Sequence, residues 1–320
     1  MFSEESLVII DRQKKRSARG AFGQALADLG KTNKNIVALD ADLSASTQTK
    51  IFAKEFPDRF FDVGIAEQDL VDTAAGLSTT GKIPFVATFA VFATGRTYDQ
   101  IRNTVCYSNF NVKIVGTHGG LTVGEDGATH QALEDIGLMS NLPNMHVIVP
   151  ADYAETYSAI KYAAEHEGPY YIRVSRASLP DIFEDGYEIS PKGKVLREGK
   201  DVTVITNGET LAECVEAAEE LKDKGIDVEL INMPFVKPFD QETVINSAKK
   251  TGLVVTVENH SVKGALGSAV CETLSEFNPT KVIRMGVHDS FGRSGTADEL
   301  MKYFGLDKES IVKKIVEIKK

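Results

Sequence analysis

At 320 residues the chain exceeds the usual size of one hydrophobic core, so two domains are expected. Its 42% hydrophobic and 26% charged residues are those of a soluble globular protein, far from collagen-like, coiled-coil or disordered composition. A balance of 36 basic against 46 acidic residues, net −10, argues against a nucleic-acid surface, which needs a basic footprint.

The amino-terminal MFSEESLVIIDRQKK is acidic before it is apolar, and its apolar run of four residues is too short for a signal-peptide core. Residues 17–29 (SARGAFGQALADL) have helical spacing, 35–39 (NIVAL) form a short buried-strand candidate, and 60–63 give another strand before a helix beginning near Ala66. Strand-like runs follow at 84–92, 112–115 and 147–149. The most apolar of these segments, 83–93, is interrupted by Pro84 and Thr88 and is well short of a membrane span. Strands alternating with helices imply a parallel sheet covered on both faces.

Between 178 and 201 the pattern gives way to Pro, Gly and charge, the composition of a linker or hairpin. The expected division is therefore a first domain over 1–180, a linker over 181–200 and a second domain over 201–320. Alternation restarts with strand 202–206, helix 211–222, strand 228–232, helix 241–249, strand 253–258, helix 264–276, strand 281–285 and a helix near 296–304. The closing KESIVKKIVEIKK reads as an amphipathic terminal helix, solvated or docked on a partner. Three cysteines, Cys106, Cys214 and Cys271, make no close pair and fit a reducing compartment, so a cytoplasmic protein is expected.

Four segments can carry chemistry. In FFDVGIAEQDLVDTAAGLSTTG, Gly64 relaxes the strand end and Glu67 falls in the first helical turn, at the carboxyl end of a parallel strand where α/β folds place ligands. An acid there also simply complements the helix dipole. In PFVATFAVFATGRTYDQIR, Phe89 and Phe92 among small residues can line a slot for a flat heteroaromatic ring, or pack a core. VGTHGGLTVGEDGATHQALED carries Gly119, Gly120, Gly124 and Gly127, which allow close backbone approach, with His118, Asp126 and His130 as polar groups. Its acidic residues stand where a phosphate-binding loop needs Lys and Ser or Thr, and its two histidines are too far apart for a compact metal cluster. Arg19, Arg176 and Ser46 form the fourth set, since arginine forks suit phosphate. Neither GxSxG nor GxGxxG occurs, which lowers the prior for a serine hydrolase or a dinucleotide enzyme.

Taken together, and in this order, these segments resemble the C-terminal half of transketolase. GEDGATHQ, the following LPN, Ser175-Arg176 and Leu179-Pro180 carry the likeness. The resemblance implies two parallel-sheet α/β domains, a thiamine-diphosphate pyrimidine-binding domain and a transketolase C-terminal domain. By it, Glu67 would hydrogen-bond the cofactor's aminopyrimidine, Phe89 and Phe92 would pack around that ring, and Asp42 would lie at the cofactor site. His118, Asp126 and His130 would face the sugar, with Glu67, His118 and His130 as catalytic groups, while Arg19, Ser46 and Arg176 would hold the substrate phosphate. Gly95 stands where the family has a third aromatic residue, with Tyr98 as a candidate replacement.

The GDG motif and the asparagine-bearing segment that hold metal and diphosphate in the family do not occur in these residues. The resemblance therefore implies a separate N-terminal transketolase subunit carrying the Mg2+ or Ca2+ and the diphosphate, in an α2β2 hetero-oligomer acting on sugar phosphates, with no nucleic acid and no membrane. The β-subunit of a 2-oxoacid dehydrogenase, a deoxyxylulose-phosphate-synthase-like enzyme and a non-catalytic scaffold subunit remain as alternatives.

Overall fold

A computed structural model describes residues 8–320, with side chains from Gln13 onward. In chain order its strands are β1 (Val8–Ser17), β2 (Ile36–Asp40), β3 (Phe60–Asp62), β4 (Ile83–Phe89), β5 (Lys113–Thr117), β6 (His146–Ile148), β7 (Tyr170–Val174) and β8 (Ser178–Phe183). There follow β9 (Lys194–Arg197), β10 (Val202–Thr206), β11 (Val228–Asn232), β12 (Phe235–Lys237), β13 (Leu253–Ser261) and β14 (Lys281–Val287).

Two sheets organise the chain. The first runs β12-β6-β7-β5-β4-β2-β3 and is parallel except for β12, which pairs antiparallel with β6. The second runs β14-β13-β10-β11-β9 and is parallel except for β9. Strands β2, β5, β7, β10 and β11 are buried at every position, as expected where helices cover both faces and leave no wet side to alternate towards. The mixed α/β class expected from the alternation is thus the observed one.

The helix Ala18–Thr32 begins where the Ser17 hydroxyl accepts the Gly20 N–H at 3.1 Å. It buries Ala21, Phe22, Ala25 and Leu26 and packs on the helix Tyr153–Glu165. Each large apolar side chain so buried contributes about 1.5–3 kcal/mol. Its first turn brings Arg19 to the Ser46 carbonyl, in the segment that follows β2.

The segment expected as a linker or hairpin contributes structure to both halves. Its start, β8, pairs antiparallel with β1, and β9 closes the edge of the second sheet. The closing helix, Lys308–Lys319, turns its apolar stripe inward, burying Ile311, Val312 and Ile315 against the helix Thr210–Asp223. Among the described residues no helix is long and apolar enough to cross a membrane.

Candidate functional site

Three carboxyl ends of the first sheet meet at one place. The loop after β3 leads into the helix Glu67–Ser78, with Glu67 at its first position and its side chain only 3% exposed. A buried carboxylate needs a partner, and Arg96 supplies one, its Nη1 donating to Glu67 Oε2 at 2.9 Å. Arg96 closes a wide helical turn, Phe92–Arg96, that follows β4, and its guanidinium carbon lies 4.4 Å from the Phe92 ring centre. Wide turns of this kind occur as single turns inside helices, frequently at functional sites.

From Phe92 the contacts run on without a break. Phe89 and Phe92 lie nearly parallel, 6.0 Å between centroids. Phe89 stacks on His118 at 3.8 Å, and His130 approaches Phe92 edge-on at 5.6 Å. His118 sits just beyond β5 with φ of 59°, a conformation few non-glycine residues adopt. Its Nδ1 is 2.9 Å from the Thr117 hydroxyl, which itself donates to the Thr88 carbonyl at 3.3 Å. With that proton committed, Nδ1 is the donor and Nε2 keeps its lone pair.

Two guanidinium groups complete this wall. Arg19 donates to the Ser46 carbonyl at 2.6 Å, so it is held by Ser46's backbone rather than by its hydroxyl, and its buried Nε has no partner. Arg176 donates to the Val123 carbonyl at 2.8 Å and to Glu125 at 3.1 Å. Burial, then the charge of Arg176, lowers the Arg19 pKa. Burial, followed by the charges of Arg19, Arg176 and His130, pushes the His118 pKa down to about 3. An anion placed here would find positive charge already concentrated.

The glycine loop is shaped by the second sheet's domain. Gly120 has φ of 79°, and a Cβ there would stand 2.5 Å from Asn259 Nδ2. Asn259, buried within β13, accepts the Leu121 N–H at 3.0 Å and donates to Glu209, which also accepts from Thr122 at 2.5 Å and Ser175 at 2.8 Å. Gly127 is equally confined, with a Cβ position 2.5 Å from the Ser294 hydroxyl. Gln131 ties the loop down, donating to the carbonyls of Leu121 at 3.0 Å and Arg293 at 2.9 Å.

The structure thus brings together Glu67, Phe89, Phe92, His118, His130, Arg19 and Arg176. Ser46 belongs to this group through its carbonyl. Asp126 is exposed on the loop, and Asp42 is exposed at φ of 59°, its N–H bonded to Asp62 at 3.0 Å. The buried acid of that turn is Asp40, which accepts from Thr47 at 2.7 Å and Thr49 at 2.8 Å. Tyr98, the candidate for the missing aromatic, packs instead on the apolar cluster that includes Leu70, Val71 and Ile101. Arg96, Glu209 and Asn259 carried no motif; their signal is three-dimensional. Among the described residues no group of three or more His, Cys, Asp or Glu side chains could hold a metal ion.

The pyrimidine end of thiamine diphosphate fits these residues. A buried carboxyl and an aromatic face lie close enough for one flat, nitrogen-bearing group, here the Arg96 guanidinium, to touch both, which is the arrangement an aminopyrimidine needs.

Comparison with known proteins defines the class. The chain belongs to the transketolase family, its residues 14–181 matching the transketolase pyrimidine binding domain and 191–311 the transketolase C-terminal domain. Membership of that family implies use of thiamine diphosphate. Within it the chain is similar to the "Putative transketolase C-terminal section" of Methanocaldococcus jannaschii, 50% identical over 94% of this chain and 96% of that one. It is 43% identical to the 6-deoxy-6-sulfo-D-fructose transketolase subunit SqwH of Clostridium sp., covering 94% of each. A solved structure described as a split gene transketolase, inactive beta4 tetramer, superimposes with a TM-score of 0.88 at 50% identity, over 94% of this chain and 98% of that chain.

Proposed function

We propose that this chain is the pyrimidine-binding and C-terminal half of a two-subunit transketolase, moving a two-carbon ketol unit from a ketose phosphate to an aldose phosphate. The observation that carries the reading is the unbroken run of contacts from Glu67 through Arg96, Phe92 and Phe89 to His118, ending beside Arg19 and Arg176. On this reading the domains are 1–180 and 201–320, joined by 181–200.

Bound thiamine diphosphate supplies the nucleophilic carbon and the electron sink for breaking and making the carbon–carbon bond. Glu67 would hold a proton against the pyrimidine ring nitrogen, the position from which a carboxyl can assist activation of the cofactor. Phe89 and Phe92 pack the ring, and Asp42 lies at the cofactor's edge. The lone pair on His118 Nε2 accepts from a sugar hydroxyl, and its neutral form is what burial and then the surrounding charge favour. His130 and Asp126 bind further hydroxyls, while Arg19 and Arg176, with Ser46, hold the phosphate.

The diphosphate and its Mg2+ or Ca2+ fall to a separate N-terminal subunit in an α2β2 assembly. Two supports bear on this: relatives of matching length include ones named as a section or a subunit, and a solved one is described as an inactive beta4 tetramer. The test is reconstitution with a subunit that carries GDG. Ketol transfer with thiamine diphosphate and Mg2+ is expected from the mixture and from neither part alone. Robust transfer by this chain by itself would refute the two-subunit reading, and a mixture inert towards every ketose phosphate would refute the activity.

A further inference from the structure

The slot between Glu67 and Phe92 is filled by a part of this chain. Arg96 reaches it from the end of the Phe92–Arg96 turn, with Nη1 2.9 Å from Glu67 Oε2 and the guanidinium carbon 4.4 Å from the Phe92 centroid. Its neighbour Gly95 leaves open space where a side chain would stand, with nothing within 4 Å of a Cβ. The Glu67 side chain is 3% exposed and that of Arg96 is 48% exposed, so the acid is fixed while the arm borders solvent.

A guanidinium and an aminopyrimidine share the chemistry that matters in such a slot. Both are flat, both engage the carboxyl at the rim, the guanidinium as N–H donor and the pyrimidine ring nitrogen by sharing the carboxyl's proton, and both stack on an aromatic face. They therefore compete for the same carboxyl group and the same ring. We propose that Arg96 is a placeholder for the cofactor's pyrimidine: it occupies the slot in the free chain and swings into solvent when thiamine diphosphate enters. This rests on the reading of Glu67 and Phe92 as the pyrimidine slot. Two consequences follow from the exchange. The Glu67 carboxylate is never left buried and unpaired, which would be strongly destabilising. The open form is a minor one, so apparent cofactor affinity is reduced by the fraction of chains that are open.

The assembled two-subunit complex is titrated calorimetrically with thiamine diphosphate in excess Mg2+, comparing the native protein with Arg96→Met and Arg96→Lys. Methionine keeps much of the bulk but cannot pair with the carboxylate; it is expected to tighten binding by about tenfold, as when a closed state holding nine-tenths of the population is removed. Lysine keeps the charge without the flat fork and is expected to fall between the two. Equal or weaker binding by Arg96→Met overturns the placeholder role. A second measurement covers poor assembly of that variant. In the native complex, the Arg96 side-chain N–H resonance is expected to move to a solvent-exposed position on saturation with cofactor, and a resonance that stays in place overturns the proposal. A native complex that binds no thiamine diphosphate sinks the slot and the placeholder together; native binding with no gain in Arg96→Met sinks only the latter.

Discussion

His118 lies face to face with Phe89, 3.8 Å between ring centroids, held there by a backbone φ of 59°. One side of the imidazole is thereby sealed by an apolar ring while its surroundings carry two guanidinium groups. Both effects oppose a proton on the ring, and they hold its pKa at about 3.

His118 is expected to remain neutral across the whole physiological range, as an NMR titration of its ring protons in the isolated chain would show. The unfolded chain takes up this proton near pH 6.5 and the native chain refuses it until about pH 3. Stability contributed by the neutral ring is therefore present above pH 6.5 and lost as pH falls through that window. A midpoint near 6.5 in the native protein would contradict the placement.

Glu67 is expected to control activation of the cofactor. In the assembled complex, Glu67→Ala should slow hydrogen exchange at the reactive thiazolium carbon by on the order of a hundredfold or more. Glu67→Gln should retain binding better yet stay impaired, because an amide does not pass on the proton. Thermal stability should fall only slightly in either, since Arg96 is half exposed and keeps its contact with solvent. Normal exchange in the alanine variant would leave Glu67 as no more than a helix-start acid.

Arg176 is expected to read the phosphate. Arg176→Ala should lower kcat/KM for a phosphorylated acceptor by at least roughly tenfold and change use of a small unphosphorylated aldehyde little. Because the same guanidinium holds the Val123 carbonyl, equal losses on both acceptors would assign it to loop support instead.

Glu155 gives a test of the polar seam between the two halves. Its carboxyl accepts from the Ala151 N–H at 2.7 Å and from Asn232 at 2.8 Å, and burial, with the charge of Asp152, pushes its pKa up to about 8. Stability from the neutral carboxyl is complete below about pH 4.5 and lost as pH rises towards 8. Glu155→Gln removes that loss, so in urea titrations it should gain on the native protein as the buffer is taken from pH 5 to pH 8, by at most about 1.4 kcal/mol for each tenfold fall in proton concentration. A variant equally destabilised at both values would show that the carboxyl is native in its charged form.

The strand and helix alternation was legible because parallel strands buried on both faces leave short uninterrupted apolar runs. The expected 202–206 and 228–232 coincide with β10 and β11. Glu67 at the first helical position could also be read, since Gly64 and the run of helix formers after it mark the turn. Arg96 could not: its partner is 29 positions away, and only the wide turn after Phe92 swings it back. Glu209 and Asn259 were equally silent, because what makes them matter is a loop contributed by the other half of the chain. The inward stripe of the closing helix was visible as amphipathy, but its receiving surface on the Thr210–Asp223 helix was not.

Strand β12 leaves the second half of the chain to cap the first sheet, pairing Phe235 with Ile148 and Lys237 with Val147. Without it, β6 would be an outermost strand with a row of open amide and carbonyl groups, the kind of edge that recruits other chains. The two halves are thus physically interlocked rather than strung in series. A protease cut in the connecting segment would nick the molecule without releasing a clean amino-terminal piece, and a gene fragment ending there would encode a sticky protein.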